Sequence, residues 1–157
     1  MDNEKFILVI ADDSKEMDVA LKYACARSKK TNRKIMIVTF IEPLDVLTTQ
    51  GVTEIMKNEA REEAEKKLQY ASSVVKESTG ILPVLHIREG EIIQELKSLI
   101  DEEKNINVLV VGAKVDEKEK NPGPIINSLI SKELSSFRIP IMIVPGNFSS
   151  EHIALIT

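Results

Sequence analysis

The chain of 157 residues has the length of one ordinary domain, enough to bury a core without disulfides or metals. With 43% hydrophobic and 29% charged residues it is too apolar for a disordered protein, yet no apolar segment has membrane-spanning length. Its net charge of -4 comes from interleaved Lys and Glu, and it has no Trp, which argues against nucleic acid and anionic membranes as partners.

The first apolar run, Phe6-Ile7-Leu8-Val9-Ile10, predicts a strand over 6–11 that is covered on both faces. The preceding Met1-Asp2-Asn3-Glu4 has neither a basic stretch nor a signal-type apolar region, so a cytoplasmic chain is expected. Asp12-Asp13-Ser14 then opens a helix over 14–30, with Asp13 or Ser14 as cap and Met17, Ala20, Leu21, Ala24 and Cys25 on one face. A carboxylate at this turn can accept hydrogen bonds from a ligand's amino or hydroxyl group, although capping alone also accounts for the tripeptide. Cys25, the single cysteine, lies between Ala24 and Ala26 and reads as a small core residue in a reducing compartment.

A second strand is predicted over 34–41, followed by a stretch without pattern, 42–52. A long amphipathic helix over 53–77 then places Met56, Ala60, Ala64, Leu68, Ala71 and Val75 at helical spacing. The third strand, 81–87, contains Pro83 and belongs toward the outside of the sheet, with His86 a surface or partly buried residue. A helix over 91–100 carries Ile92, Ile93, Leu96 and Leu99. The strand over 106–112 is continuously apolar through Val108-Leu109-Val110-Val111, and therefore central, and it ends in Gly112. After the mixed-charge loop 116–124 comes a helix over 125–136 bearing Ile126, Leu129, Ile130 and Leu134, then a strand over 139–144 that includes Pro140. Residues 1–146 make one domain. The extension 147–157 ends in Ile153-Ala154-Leu155-Ile156, which favours a packed edge strand or dimer arm over a frayed tail.

Strict alternation of strand and helix predicts an α/β fold, a three-layer α/β/α sandwich around a five-stranded parallel sheet. In such a sheet ligands bind beyond the carboxyl ends of the strands. Gly112 would let a ligand approach the backbone there, and the helix start leading to Asn127-Ser128 suits a phosphate. No Walker motif, Gly-x-Gly-x-x-Gly or Gly-x-Ser-x-Gly is present. His86 and His152 stand apart from any ligand-spaced cluster, so neither a metal centre nor a catalytic residue is predicted. A phosphorylated receiver domain would need an Asp at the end of the third strand, where Ile87-Arg88 stands.

From Phe6 to Val144 the chain resembles the universal stress protein family. The carriers are Phe6 to Ser14, similar to the family's first strand and Asp-Gly-Ser turn, and Ala20-Leu21-Lys22-Tyr23-Ala24, similar to its Ala-Leu-x-x-Ala. Arg88-Glu89-Gly90, the run Val108 to Gly112 and the final Arg138-Ile139-Pro140-Ile141-Met142-Ile143-Val144 continue the match in order. The resemblance implies strand order 3-2-1-4-5 and a homodimer formed partly by the last strand. In nucleotide-binding members adenine and ribose lie by the first strand's end, and a Gly-x-x-Gly, a spacer and a Gly-Ser or Gly-Thr hold the phosphates.

Here that pattern is broken. Gly112 matches the first glycine, Val115 stands at the second, the loop is longer, and Asn127 and Ser128 stand at the final pair. A β-branched residue cannot replace a glycine of positive φ without steric cost, whereas Asn tolerates that region. The resemblance thus implies Ala11, Asp12, Phe40, Gly112, Lys114, Asn127 and Ser128 as cofactor-binding positions, with the base half kept and the phosphate half impaired. Lys114, Lys118 and Lys120 offer phosphate charge that Asp116, Glu117 and Glu119 nearly cancel. The expectation is a non-enzymatic, cytoplasmic, dimeric stress-response domain with protein partners, whose site for ATP or AMP with magnesium is weak or lost. The alternative is an ATP-binding member with slow hydrolysis or nucleotide-dependent switching.

Overall fold

Strands as apolar as β1 (Phe6–Ile10) and β4 (Ile106–Ala113) need cover on both faces, and the chain supplies it by returning through a helix after every strand. In the computed structural model, which describes residues 4–43, 50–118 and 120–157, these two lie side by side at the centre. Around them stand β2 (Lys34–Ile41), β3 (Val84–Glu89) and β5 (Ile141–Pro145), giving a wholly parallel sheet in the order β3-β2-β1-β4-β5. One face is covered by α1 (Lys15–Thr31), α2 (Gln50–Thr79) and α5 (Ser150–Ile156), and the other by α3 (Ile92–Glu102) and α4 (Pro124–Ser128).

Alternation along β1 feeds two cores. Ile7 and Val9 pack with Ala20, Ala24 and Val110 on the α1 face, and Leu8 and Ile10 pack with Leu96, Leu99 and Leu109 on the α3 face. Each Val, Leu or Ile among them, fully buried, contributes about 1.5–3 kcal/mol. Cys25 lies in the first core, and burial pushes its thiol up to about 11, so it packs as a small apolar group.

The five predicted strands and the helices expected over 14–30, 53–77 and 91–100 exist, with shifted ends where turn chemistry intervenes. The third strand starts at Val84 rather than residue 81, because α2 continues to Thr79 and Gly80, at φ 79°, closes it by donating to the Lys76 carbonyl at 2.9 Å. Pro83, which has no N–H for a ladder, stands just outside β3. The helix expected over 125–136 is broken into α4, a π turn (Leu129–Glu133) and a 3₁₀ turn (Leu134–Ser136). Ser131 Oγ donates to the Asn127 carbonyl at 2.5 Å, a back-bond that bends helices. The widened turn takes Ile130 and Leu134 out of the apolar face, leaving Ile126 and Leu129 buried alone.

The extension is a helix, and the edge-strand expectation is corrected. Gly146 donates to the Ala113 carbonyl at 2.8 Å, and Ser149 caps α5 by accepting from His152 N at 3.0 Å. The chain thereby turns off the sheet and lays Ile153 into the α1-side core. No helix among the described residues is long and apolar enough to cross a membrane.

Candidate functional site

The carboxyl end of β1 is shaped by one tripeptide. Asp12 Oδ1 accepts from Ser14 N at 3.0 Å and Ser14 Oγ at 2.6 Å, while Ser14 Oγ accepts from Met17 N at 3.2 Å and so caps α1. Asp13 between them has φ 66°, a left-handed conformation that Asp tolerates better than a branched residue. It occupies the place of the glycine in the Asp-Gly-Ser turn. Ala11 is held on both sides, its N–H donating to the Val38 carbonyl at 2.9 Å and its carbonyl accepting from Thr39 Oγ1 at 2.7 Å.

Beyond the strand ends lie three adjoining clefts. The middle one, of about 270 Å³, is lined by Ala11, Asp12, Phe40, Lys67, Ile92 and Ile125 among others. It opens across Glu42, Ile92 and Ile125 into a second cleft of about 440 Å³, walled by Gly90, Glu91, Pro124 and Ser128. The third, of about 410 Å³, lies between α1 and α2 and shares Ile10, Ala11, Asp12 and Lys67 with the middle one. The structure thus brings Ala11, Asp12 and Phe40 into one cleft and sets Ser128 in the next.

Three of the positions expected on the phosphate side stand elsewhere. Gly112 is buried against α1: an added Cβ would overlap the Glu16 carbonyl and lie 3.0 Å from Met17 N, and its own N–H points at Met17 Sδ at 3.4 Å. This glycine sets how closely α1 packs on β4. Lys114 is exposed, and its N–H donates to the Pro122 carbonyl at 3.0 Å. Asn127 lies in α4 with helical backbone, and its Nδ2 donates at 2.7 Å to Asn121 Oδ1, which also accepts from Gly123 N at 3.1 Å. The amide that would meet an anion therefore ties down its own loop. Val115 is half exposed and free of positive φ, so no strain attaches to it.

The walls also contain residues that sequence patterns did not single out. Lys67, on α2, borders both the middle cleft and the one between α1 and α2. Tyr70 donates to Asp18 Oδ1 at 2.7 Å, and Lys22 pairs with Asp18 Oδ2 at 3.0 Å, closing the outer end between α1 and α2. The hydrogen bond to Asp18 holds the Tyr70 phenol above its usual range, and the same carboxylate raises Lys22. Their only sequence signal is position: Lys67 and Tyr70 flank the core residues Leu68 and Ala71. Among the described residues no group of three or more His, Cys, Asp or Glu is placed to hold a metal ion.

The family model described as "Universal stress protein family" matches residues 5–145. The chain belongs to the universal stress protein family. No curated protein matches the sequence significantly. Solved universal stress proteins share its fold. One from Burkholderia pseudomallei is 18% identical, with a TM-score of 0.69 over 92% of this chain and 98% of its own. A universal stress protein in complex with cAMP is 19% identical, at a TM-score of 0.63 over 92% and 98%. That from Archaeoglobus fulgidus in complex with dAMP is 14% identical, at 0.62 over 89% and 96%.

Proposed function

We propose that this universal stress protein is a cytoplasmic, homodimeric, non-enzymatic stress-response domain that holds an adenine nucleotide mainly by its base and sugar. The observation that carries the reading is the division of the site. Asp12 and Phe40 share one cleft at the end of β1 and β2, while Gly112 faces α1 and the Asn127 amide is spent on Asn121. In the middle cleft an adenine has apolar walls in Ile92, Ile125 and Phe40, and a ribose hydroxyl has the Asp12 carboxylate as acceptor. The relatives solved with cAMP and dAMP, both adenine monophosphates, fit a family site in which the base is the constant element. On the phosphate side, Ser128 and the start of α4 border the neighbouring cleft, and magnesium with ATP would have to be held there.

Calorimetric titration with ATP and magnesium, AMP and adenosine tests this. Comparable weak heats from all three are expected, since the phosphates add few contacts. ATP binding much tighter than adenosine would overturn the reading in favour of a functional phosphate site, and would make slow hydrolysis the activity to assay.

A further inference from the structure

The basic residues of the chain are unevenly spread. Five of its 21 lysines and arginines fall between Arg27 and Lys34, with no acid among them. This segment closes α1 and enters β2 at the amino ends of the strands, where it walls a cleft of about 560 Å³ together with Glu4, Thr79 and Ile81. The cleft shares no lining residue with the three at the carboxyl ends. From Lys34 to Phe40, β2 spans about 20 Å at about 3.3 Å per residue, so the two regions are separate.

The charges that line it are Lys29, Arg33, Lys34 and Glu4. Lys34 and Glu4 pair with each other. The side chains of Lys29 and Arg33 have no ion-pair or hydrogen-bond partner among the described residues. The carboxyl end of α1 offsets only about half a charge, and that of α2 is met by Lys76, which donates to the Gly80 carbonyl at 2.8 Å. The cleft is therefore net positive. The turn that carries its cations is fixed: Ser28, 7% exposed, donates through Oγ to the Arg33 carbonyl at 2.5 Å, and Asn32 holds φ 58°. Such a turn loses little further freedom when Arg33 engages an anion. Two uncompensated cations match the charge of about −1.5 to −2 on a phosphate monoester at pH 7 better than the single charge of a carboxylate, and guanidinium meets phosphate with two parallel donors. Ile81, 52% exposed, adds apolar surface to the wall.

We propose that this cleft is an anion site that takes a small, soluble organic phosphate monoester, its phosphate between Lys29 and Arg33 and its carbon skeleton against Ile81. A phosphate ion alone would fill little of the 560 Å³. The site stands or falls independently of adenine binding, since the two share no residue.

The test is a titration of the full chain with phenyl phosphate, followed by backbone amide NMR. Phenyl phosphate is expected to shift the amides of Lys29, Asn32, Arg33 and Ile81 while leaving those of Ala11, Asp12 and Phe40 in place. Benzoate, with a single charge, and inorganic phosphate, with no apolar part, should each bind about tenfold more weakly. Lys29→Gln and Arg33→Gln should each weaken phenyl phosphate by about tenfold. Lys66→Gln, which removes an exposed charge about 20 Å along α2 from Thr79, should change nothing. Unmoved amides at Lys29, Asn32, Arg33 and Ile81 in millimolar phenyl phosphate would overturn the proposal. So would shifts centred on Ala11, Asp12 and Phe40, or an equal loss of affinity in Lys66→Gln. Pelleting with phosphatidic acid vesicles, without amide shifts in phenyl phosphate, would overturn the soluble ligand in favour of a lipid headgroup.

Discussion

Replacing one hydrogen with a methyl group at Gly112 would force apart two backbones, because the nearest atoms are the carbonyl of Glu16 and the N–H of Met17 rather than a flexible side-chain tip. Gly112→Ala is therefore expected to cost at least about 2 kcal/mol, within the range for overpacked sites, and to lower the urea midpoint without changing the slope. An unaltered midpoint would show that α1 can slide on β4. Tyr70 responds to pH rather than to size. Its pKa is raised by the bond to Asp18, so the contribution is fully present below the ordinary tyrosine value of about 10 and disappears as pH rises through the elevated one. The difference in melting temperature between the natural chain and Tyr70→Phe should shrink across that alkaline window, and a constant difference would mean that Asp18 is not the cause. The cap at residues 13–14 was legible, since Asp and Ser are both favoured caps, but only the backbone shows that Ser14 takes that place and Asp13 the left-handed turn. The role of Gly112 was not legible: a strand-end glycine looks the same whether a ligand or a helix comes close, and only the placement of α1 distinguishes them.

Elements were legible where one physical cause set them. The strand predicted over 34–41 coincides with β2, whose buried centre is a run of apolar and β-branched residues bounded by Asn32 and Pro43. Along α2, Ala64, Leu68, Ala71 and Val75 are buried as their spacing requires. Met56 is not, because the first turns of this 30-residue helix carry no buried residue; at about 1.5 Å per residue it is about 45 Å long, more than the sheet beneath it can cover. Apolar spacing indicates a face but not the extent of the surface it meets. In α5 the same limit appears in miniature, since the run Ile153 to Ile156 contains one core residue and three exposed ones. Ile153 is 5% exposed and packs with the α1-side core, whereas Leu155 is 84% exposed. Ile153→Ala should cost about 2 kcal/mol or more and Leu155→Ala close to nothing, measured by denaturant unfolding. Equal effects would mean that α5 does not dock in solution.

For the molecule as a whole, alternation specified a parallel three-layer sandwich, and family resemblance supplied its strand order. The site was half legible: the strand-end positions Ala11, Asp12 and Phe40 share a cleft because the sheet aligns their strands. The walls given by Lys67 and Tyr70 depend on how α2 crosses α1, which no local pattern encodes. The open sheet has two edges, and an unpaired edge is a template for another chain unless it is guarded. At β3 the guard is ionic: Arg88 pairs with Glu102 and, at 3.8 Å, with Glu95, and Glu89 follows. The segment forming β5, Ile141-Met142-Ile143-Val144-Pro145, has no charge at all, and Ile143 is 42% exposed. A homodimer joined at β5 buries that apolar edge by symmetry, each copy meeting the same surface of the other. The natural chain is expected to sediment as a dimer, and Ile143→Lys, which places a charge on the shared edge, as a monomer with an unchanged circular dichroism spectrum. A natural chain that sediments as a monomer would remove β5 as the interface, and a dimeric Ile143→Lys would move the interface to another face.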